Sequence, residues 1–255
     1  MKRFRCFMLL VPILLSLGLA AQAQEIRVAA ASDLKFALTE IAAEYEKQTG
    51  VKISATFGSS GNFFAQIQNG APFDLFFSAD KDYPQKLAAA GLVEPLPSSP
   101  YAIGRIVIWV PGNSALDPAK LQLKTLLDPS IQKIAIANPA HAPYGRAAVA
   151  ALQKAGIYEQ IKEKLVYGEN ISQAAQFVQS GNAQAGIIAM SLSVSPEMNS
   201  GKRWEIPQEL YPELTQWTVV VKASANKEKA REFLAFFRKQ RALMEKYGFV
   251  VPPGE

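Results

Sequence analysis

The chain has 255 residues, 49% of them apolar and 19% charged, with a formal net charge of +5 and a single cysteine. That apolar content can bury one large core or two smaller ones, and one cysteine excludes a disulfide-stapled secreted domain. No cluster of Lys or Arg interleaved with aromatics appears, which argues against nucleic acid as a partner.

Residues 1–23 read as a signal peptide. Lys2, Arg3 and Arg5 form a basic head, Phe7 to Leu19 an apolar stretch, and Ala21-Gln22-Ala23 a small-x-small cleavage signal. The apolar stretch is shorter than the roughly 20 residues a membrane span needs. A periplasmic protein beginning near Gln24 is therefore expected, not embedded in a membrane. Cys6 precedes the apolar stretch, so no acceptor stands at the cleavage site for a lipid. Without Lys2, Arg3 and Arg5 the formal charge falls from +5 to +2.

Glu25 to Ala31 reads as a strand, and Asp33 to Gln48 as a helix buried on one face through Leu34, Ala37, Leu38, Ile41, Ala42 and Tyr45. Val51 to Phe57 is the next strand, Asn62 to Gln68 a helix, Asp74 to Ser78 a continuous apolar strand of the doubly covered kind, and Tyr83 to Ala90 a helix closed by Gly91. Pro95, Pro97 and Pro100 then interrupt the pattern and mark the expected first crossing between lobes. Ile103 to Val110 reads as a strongly apolar strand. The alternation resumes with a helix over Leu121 to Leu127, a strand over Lys133 to Ala137 and a helix over Gly145 to Ala155. A strand over Lys164 to Tyr167, a helix over Ser172 to Gln179 and a strand over Ala185 to Met190 follow. Trp217 to Val221 reads as a strand and Lys227 to Tyr247 as a long helical stretch. Alternating strands and helices predict an α/β fold of two lobes, each a mainly parallel sheet flanked by helices, with a ligand cleft between them. The expected division is lobe 1 over 24–102, lobe 2 over 103–204, and 205–255 as a crossing strand and C-terminal helices returning to lobe 1.

Four loops follow strands and open helices: Ala31-Ser32-Asp33, Gly58-Ser59-Ser60-Gly61, Ala142-Pro143-Tyr144-Gly145 and Glu169-Asn170-Ile171-Ser172. A helix start carries unpaired N–H groups and partial positive charge, so several converging on one point make an anion site without a cationic side chain. Ser32 offers its hydroxyl and the amide of Asp33, although an N-cap serine would look the same. Ser59 and Ser60 lie between glycines that let the backbone approach a ligand. Tyr144 offers an amide and a phenol at a helix start, where an aromatic can equally be a packing residue. Ile171 offers only its amide.

The runs Ala29 to Leu34, Phe57 to Gly61, Gly70 to Asp80, Asn138 to Gly145 and Lys246 to Phe249 together resemble the periplasmic molybdate-binding proteins of ABC transporters. The resemblance covers the chain from its first strand onward and implies a type II periplasmic binding fold holding molybdate or tungstate by hydrogen bonds. By motif, Ser32 and Ser60 would donate through hydroxyl and amide, and Asp33, Tyr144 and Ile171 through their amides. The Asp33 carboxylate would be repelled by a dianion, so its side chain is expected to point away. One branch of the family has a tyrosine donor where this chain has Ala189; the Tyr144 hydroxyl is the candidate to compensate. The implied partners are a membrane permease and its ATPase, the resemblance favours a monomer, and neither a cofactor nor a metal-cation site is expected.

Two other readings stay open. A hydrolase would combine His141, the sole histidine, with Ser32 or Ser60, yet no Gly-x-Ser-x-Gly elbow is present; loop packing is the simpler role for His141. The second is a binding protein of the same fold for sulfate, phosphate or an organic anion. Organic anions favour a pairing Arg, and Arg146, the one such cation in the four loops, is expected to face solvent or support its loop.

Overall fold

The computed structural model describes residues 25–253, so the expected signal peptide with Cys6 lies outside the described residues. In chain order, β1 (Glu25–Ala31) passes through a tight turn at Ser32–Leu34 into α1 (Lys35–Thr49), followed by β2 (Lys52–Gly58), α2 (Ser60–Gln68), β3 (Leu75–Ser78), α3 (Asp82–Ala89) and β4 (Ala102–Gly104). Next come β5 (Ile106–Val110), α4 (Pro118–Leu121), β6 (Ile134–Ala137), α5 (Pro143–Lys154), α6 (Tyr158–Ile161), β7 (Leu165–Gly168), α7 (Ile171–Gln179), β8 (Ala185–Ala189), α8 (Met190–Ser193) and β9 (Lys202–Glu205). The chain finishes with β10 (Leu214–Val220), α9 (Lys227–Arg238) and α10 (Arg241–Lys246).

The strands form two five-stranded sheets, ordered β2-β1-β3-β10-β4 and β7-β6-β8-β5-β9. Both are mixed. β1 pairs in parallel with β2 and β3, and β6 with β7 and β8, whereas β10 and β5 are antiparallel to both their neighbours. The first sheet is covered on both faces. Ile26, Val28 and Ala30 pack with Leu38, Phe233 and Phe237 on one side; Ala29 and Phe76 pack with Phe63 and Leu87 on the other. The second sheet has its own core around Ile106, Ile108, Ile134, Ile136 and Ile187.

Three segments depart from the expectations. The proline-rich passage is not the crossing: Val93 bridges Val221 and the Tyr101 N–H donates to the Gln216 carbonyl, so both ends of the passage stay on the first sheet. The apolar run from Ile103 to Val110 is two strands, because Gly104 pairs with Leu214 in the first sheet and Ile106 with Ala189 in the second; the chain crosses at Arg105. The charged segment Lys202–Glu205, read as no strand, forms the edge strand β9 against β5. Charges on an edge strand discourage pairing with another chain.

Local chemistry explains the helix boundaries at the loops. Ser59 caps α2 by accepting from the Asn62 N–H at 3.3 Å, and Asn170 caps α7 by accepting from the Gln173 N–H at 3.0 Å. Pro143 begins α5, where its missing N–H costs nothing. Among the described residues no helix is long and apolar enough to cross a membrane.

Candidate functional site

The four loops lie at the carboxyl ends of β1, β2, β6 and β7, and they meet between the two sheets. A small cavity is lined there by Ser32, Asp33, Ser60, Tyr144 and Ile171, with Gly58, Ser59, Ala79 and Pro143 among their neighbours. All five residues singled out from the sequence thus line one cavity. Larger grooves lie elsewhere; this cavity is where the four loops meet.

Donors dominate the lining. The amides of Ser60, Tyr144 and Ile171 stand in the first turns of α2, α5 and α7, where no intrahelical acceptor exists, and they donate to no other described residue. The fully buried Ser60 hydroxyl accepts from the Ala79 N–H at 2.9 Å, which leaves its own proton for the cavity. The Ser32 hydroxyl donates to the Asn170 side-chain oxygen at 3.1 Å and accepts from the Ser172 N–H at 3.2 Å. Ser32 therefore ties the first lobe to the N-terminus of α7.

The Asp33 side chain was expected to point away, and it is bound by two groups. Its Oδ2 accepts from the Tyr144 hydroxyl at 2.9 Å and from Gln216 Nε2 at 2.5 Å. Gln216 Oε1 in turn accepts from the Tyr101 hydroxyl at 2.7 Å. Asp33 is 1% exposed, and its Oδ1 has no partner among the described residues. Burial pushes its pKa up to about 6, against the lowering effect of the Gln216 and Tyr144 hydrogen bonds. Burial likewise holds the Tyr101 and Tyr144 phenols well above their usual range, aided by the Asp33 carboxylate. A carboxyl pKa raised on folding gives stability that is complete below about pH 4 and lost as pH rises through about 6, a loss of about 3 kcal/mol for this shift.

Two expectations change here. The Tyr144 hydroxyl does not compensate for the donor missing at Ala189, because it donates to Asp33 and lies 3.1 Å from Gln216 Nε2. Arg146 does not simply face solvent: it forms an ion pair with Asp80 and donates to the Tyr83 hydroxyl at 3.3 Å, both on the opposite lobe. Gln216, Asn170 and Ser172 were not singled out from the sequence. A glutamine at a fully buried position of an apolar strand, as Gln216 is, was the signal available for the first.

His141 sits at the rim. Its Nδ1 lies 2.9 Å from Ser59 Oγ and its Nε2 lies 3.4 Å from the Glu169 carboxylate, while its carbonyl accepts from the Gly61 N–H at 2.9 Å. The order Ser59, His141, Glu169 mimics a hydrolase triad, but Ser59 Oγ caps α2 and the Glu169 side chain is 66% exposed. A capping hydroxyl across a lobe interface is a closure contact rather than a nucleophile. Neither Ser32 nor Ser60 touches His141.

Residues 26–250 match the family described as bacterial extracellular solute-binding protein. The chain is 38% identical over 241 residues to the molybdate-binding protein ModA of Rhodobacter capsulatus, with 93% of each chain covered. It is 36% identical to the protein of that name from Azotobacter vinelandii, covering 91% of this chain and 92% of the relative. Among solved structures, the periplasmic molybdate-binding protein of Azotobacter vinelandii superimposes with a TM-score of 0.82 at 32% identity, covering 89% of this chain and 100% of that one. These relatives are solute-binding proteins, not enzymes. With likeness running through both lobes and all four loops, the chain belongs to the bacterial extracellular solute-binding protein family.

Proposed function

We propose that the protein captures molybdate and tungstate in the cavity between its lobes and delivers them to the permease of an ABC transporter. The observation that carries this reading is the convergence of the Ser60 hydroxyl and the free amides of Ser60, Tyr144 and Ile171 on one cavity beside Ser32, whose own hydroxyl proton, expected on the anion, is held by Asn170. Molybdate is a dianion without protons at neutral pH, so each of its oxygens accepts. Neutral donors and helix starts satisfy such a ligand with no cation in the lining. Sulfate offers the same acceptors on a smaller tetrahedron, so selection against it rests on size.

Closure completes the site. The anion bridges both lobes and stabilises the closed state, which the permease recognises; opening releases the anion. Export through residues 1–23 places this work in the periplasm, and the protein acts as a monomer of two lobes, the chain leaving the first at Arg105 and re-entering it between β9 and β10. Neither a cofactor nor a metal cation takes part.

Calorimetric titration with molybdate, tungstate, sulfate and phosphate at one pH tests the reading. One-to-one binding of molybdate and tungstate, with no heat from sulfate or phosphate, is the expected result. Heat from sulfate or phosphate alone would keep the helix-start mechanism and reassign the ligand.

A further inference from the structure

Gly104 is the last residue of β4, one position before the crossing at Arg105. Its φ is not positive, so backbone conformation does not call for glycine there. Space does. A Cβ on Gly104 would lie 2.2 Å from the Tyr144 hydroxyl, 3.0 Å from Tyr144 Cζ and 2.8 Å from Gln216 Nε2. The Tyr144 phenol of the second lobe thus rests on bare backbone of the first, a close approach that only glycine within a strand permits. There its hydroxyl donates to Asp33 Oδ2 and accepts from Gln216 Nε2. The Tyr101 hydroxyl donates to Gln216 Oε1 and so keeps the Gln216 NH2 turned toward the phenol. Arg105 fixes the crossing by donating to the Gly248 carbonyl at 2.8 and 3.1 Å. The other end of Tyr144 is held as firmly: a Cβ on Gly145 would lie 2.2 Å from the Ala137 carbonyl, so the start of α5 sits hard against the end of β6.

We infer that Gly104 is a positioning residue for anion capture: the space left by its missing side chain seats the Tyr144 phenol beside the crossing, and that seat sets where the Tyr144 amide stands against the donors of the first lobe. The inference rests on the reading of the cavity as the oxyanion site and adds to it a residue that does not line the cavity. One stiff ring joins the two ends of the device. The Tyr144 amide, free in the first turn of α5, belongs to the cavity together with the Ser60 hydroxyl of the first lobe. The Tyr144 hydroxyl is held by Asp33 and Gln216, also of the first lobe. Amide and hydroxyl move as one when the lobes move, so the four loops reach their meeting point only with the phenol seated. A methyl group at position 104 occupies the seat, pushes the ring out and carries the start of α5 away from Ser60. Hydrogen bonds to an anion are short and charge-assisted, and they weaken steeply with such a misalignment.

The test is calorimetric titration with sodium molybdate of the purified wild-type protein, Gly104→Ala, Tyr144→Phe and the double variant. Gly104→Ala is expected to raise Kd by about tenfold or more. Tyr144→Phe removes the atom nearest the new methyl group, so the double variant is expected to return to within about threefold of Tyr144→Phe alone. A general weakening of β4 would not be repaired in this way, because the second change also removes a hydrogen bond to Asp33. A Kd for Gly104→Ala within about threefold of the wild type overturns the inference and leaves the functional reading intact, as does a double variant that binds no more tightly than Gly104→Ala. Absence of molybdate binding by the wild type overturns both. If Gly104→Ala alone does not fold, the double variant decides the matter: a folded protein with the Kd of Tyr144→Phe is the expected result, and failure to fold overturns the inference.

Discussion

Ser60 is the residue on which the anion reading bears most directly, because its hydroxyl accepts from Ala79 and keeps a free proton at the cavity. Ser60→Ala removes that donor and leaves the Ala79 N–H unpaired. A hydrogen bond to a charged ligand contributes about 1.5–3 kcal/mol, so the molybdate Kd is expected to rise by roughly one to two orders of magnitude in a titration. Tyr144→Phe separates two roles of one residue. Its amide stays, while Asp33 Oδ2 loses one of its two donors. The expected outcome is a drop in the thermal midpoint of the unliganded protein equivalent to about 1–3 kcal/mol, with the molybdate Kd weakened less than by Ser60→Ala. A loss as large as that of Ser60→Ala would instead place the phenol on the anion.

At the scale of elements, the site is built from the starts of α2, α5 and α7, and what matters is how closely they approach one another. Gly61, in the first turn of α2, meets the other lobe at the His141 carbonyl, 2.6 Å from where a Cβ would stand, with the Tyr83 hydroxyl of its own lobe equally close. Its N–H donates to that same carbonyl at 2.9 Å. Gly61→Ala is therefore expected to hold the lobes apart while leaving each lobe folded. Small-angle scattering with and without molybdate checks this: the wild type contracts on binding, and the variant stays extended with a Kd raised at least tenfold. The sequence showed these elements to different degrees. Helix starts after Gly58, Ala142 and Asn170 were legible because caps, prolines and glycines act locally. The strand Lys202–Glu205 was not, since it carries no apolar period and its pairing with β5 is set by the fold. The run from Ile103 to Val110 was misread as one strand because continuous apolar character does not say which sheet receives each half.

Across the whole molecule, closure is held by bonds that join the lobes at opposite sides of the cavity. Ser32 with Asn170 and Ser172 closes one side, Gly61 and Ser59 with His141 another, and Asp80 and Tyr83 with Arg146 the rim. The Arg146 side chain is 40% exposed, so its ion pair with Asp80 contributes modestly, about 0.5–1 kcal/mol. Arg146→Ala is accordingly expected to speed molybdate dissociation by a few-fold in stopped-flow fluorescence, more at low salt than at high. An unchanged rate would mean that the pair forms outside the closure step.

The sequence by itself determined the strand and helix alternation, the two-lobed α/β architecture and the four helix-opening loops that meet at the cavity. Each of these follows from local chemistry: apolar period, caps, and glycines beside unpaired amides. The tertiary structure alone decided what Asp33 does. Its partners Tyr144 and Gln216 lie 111 and 183 positions away, and the same holds for the pairing of Arg146 with Asp80 and for the crossing at Arg105. Sequence pattern reports what a residue can offer within a few positions of itself. Which buried group receives that offer is set when two sheets close on each other, and there the Asp33 carboxyl is held by the Tyr144 hydroxyl and Gln216 Nε2.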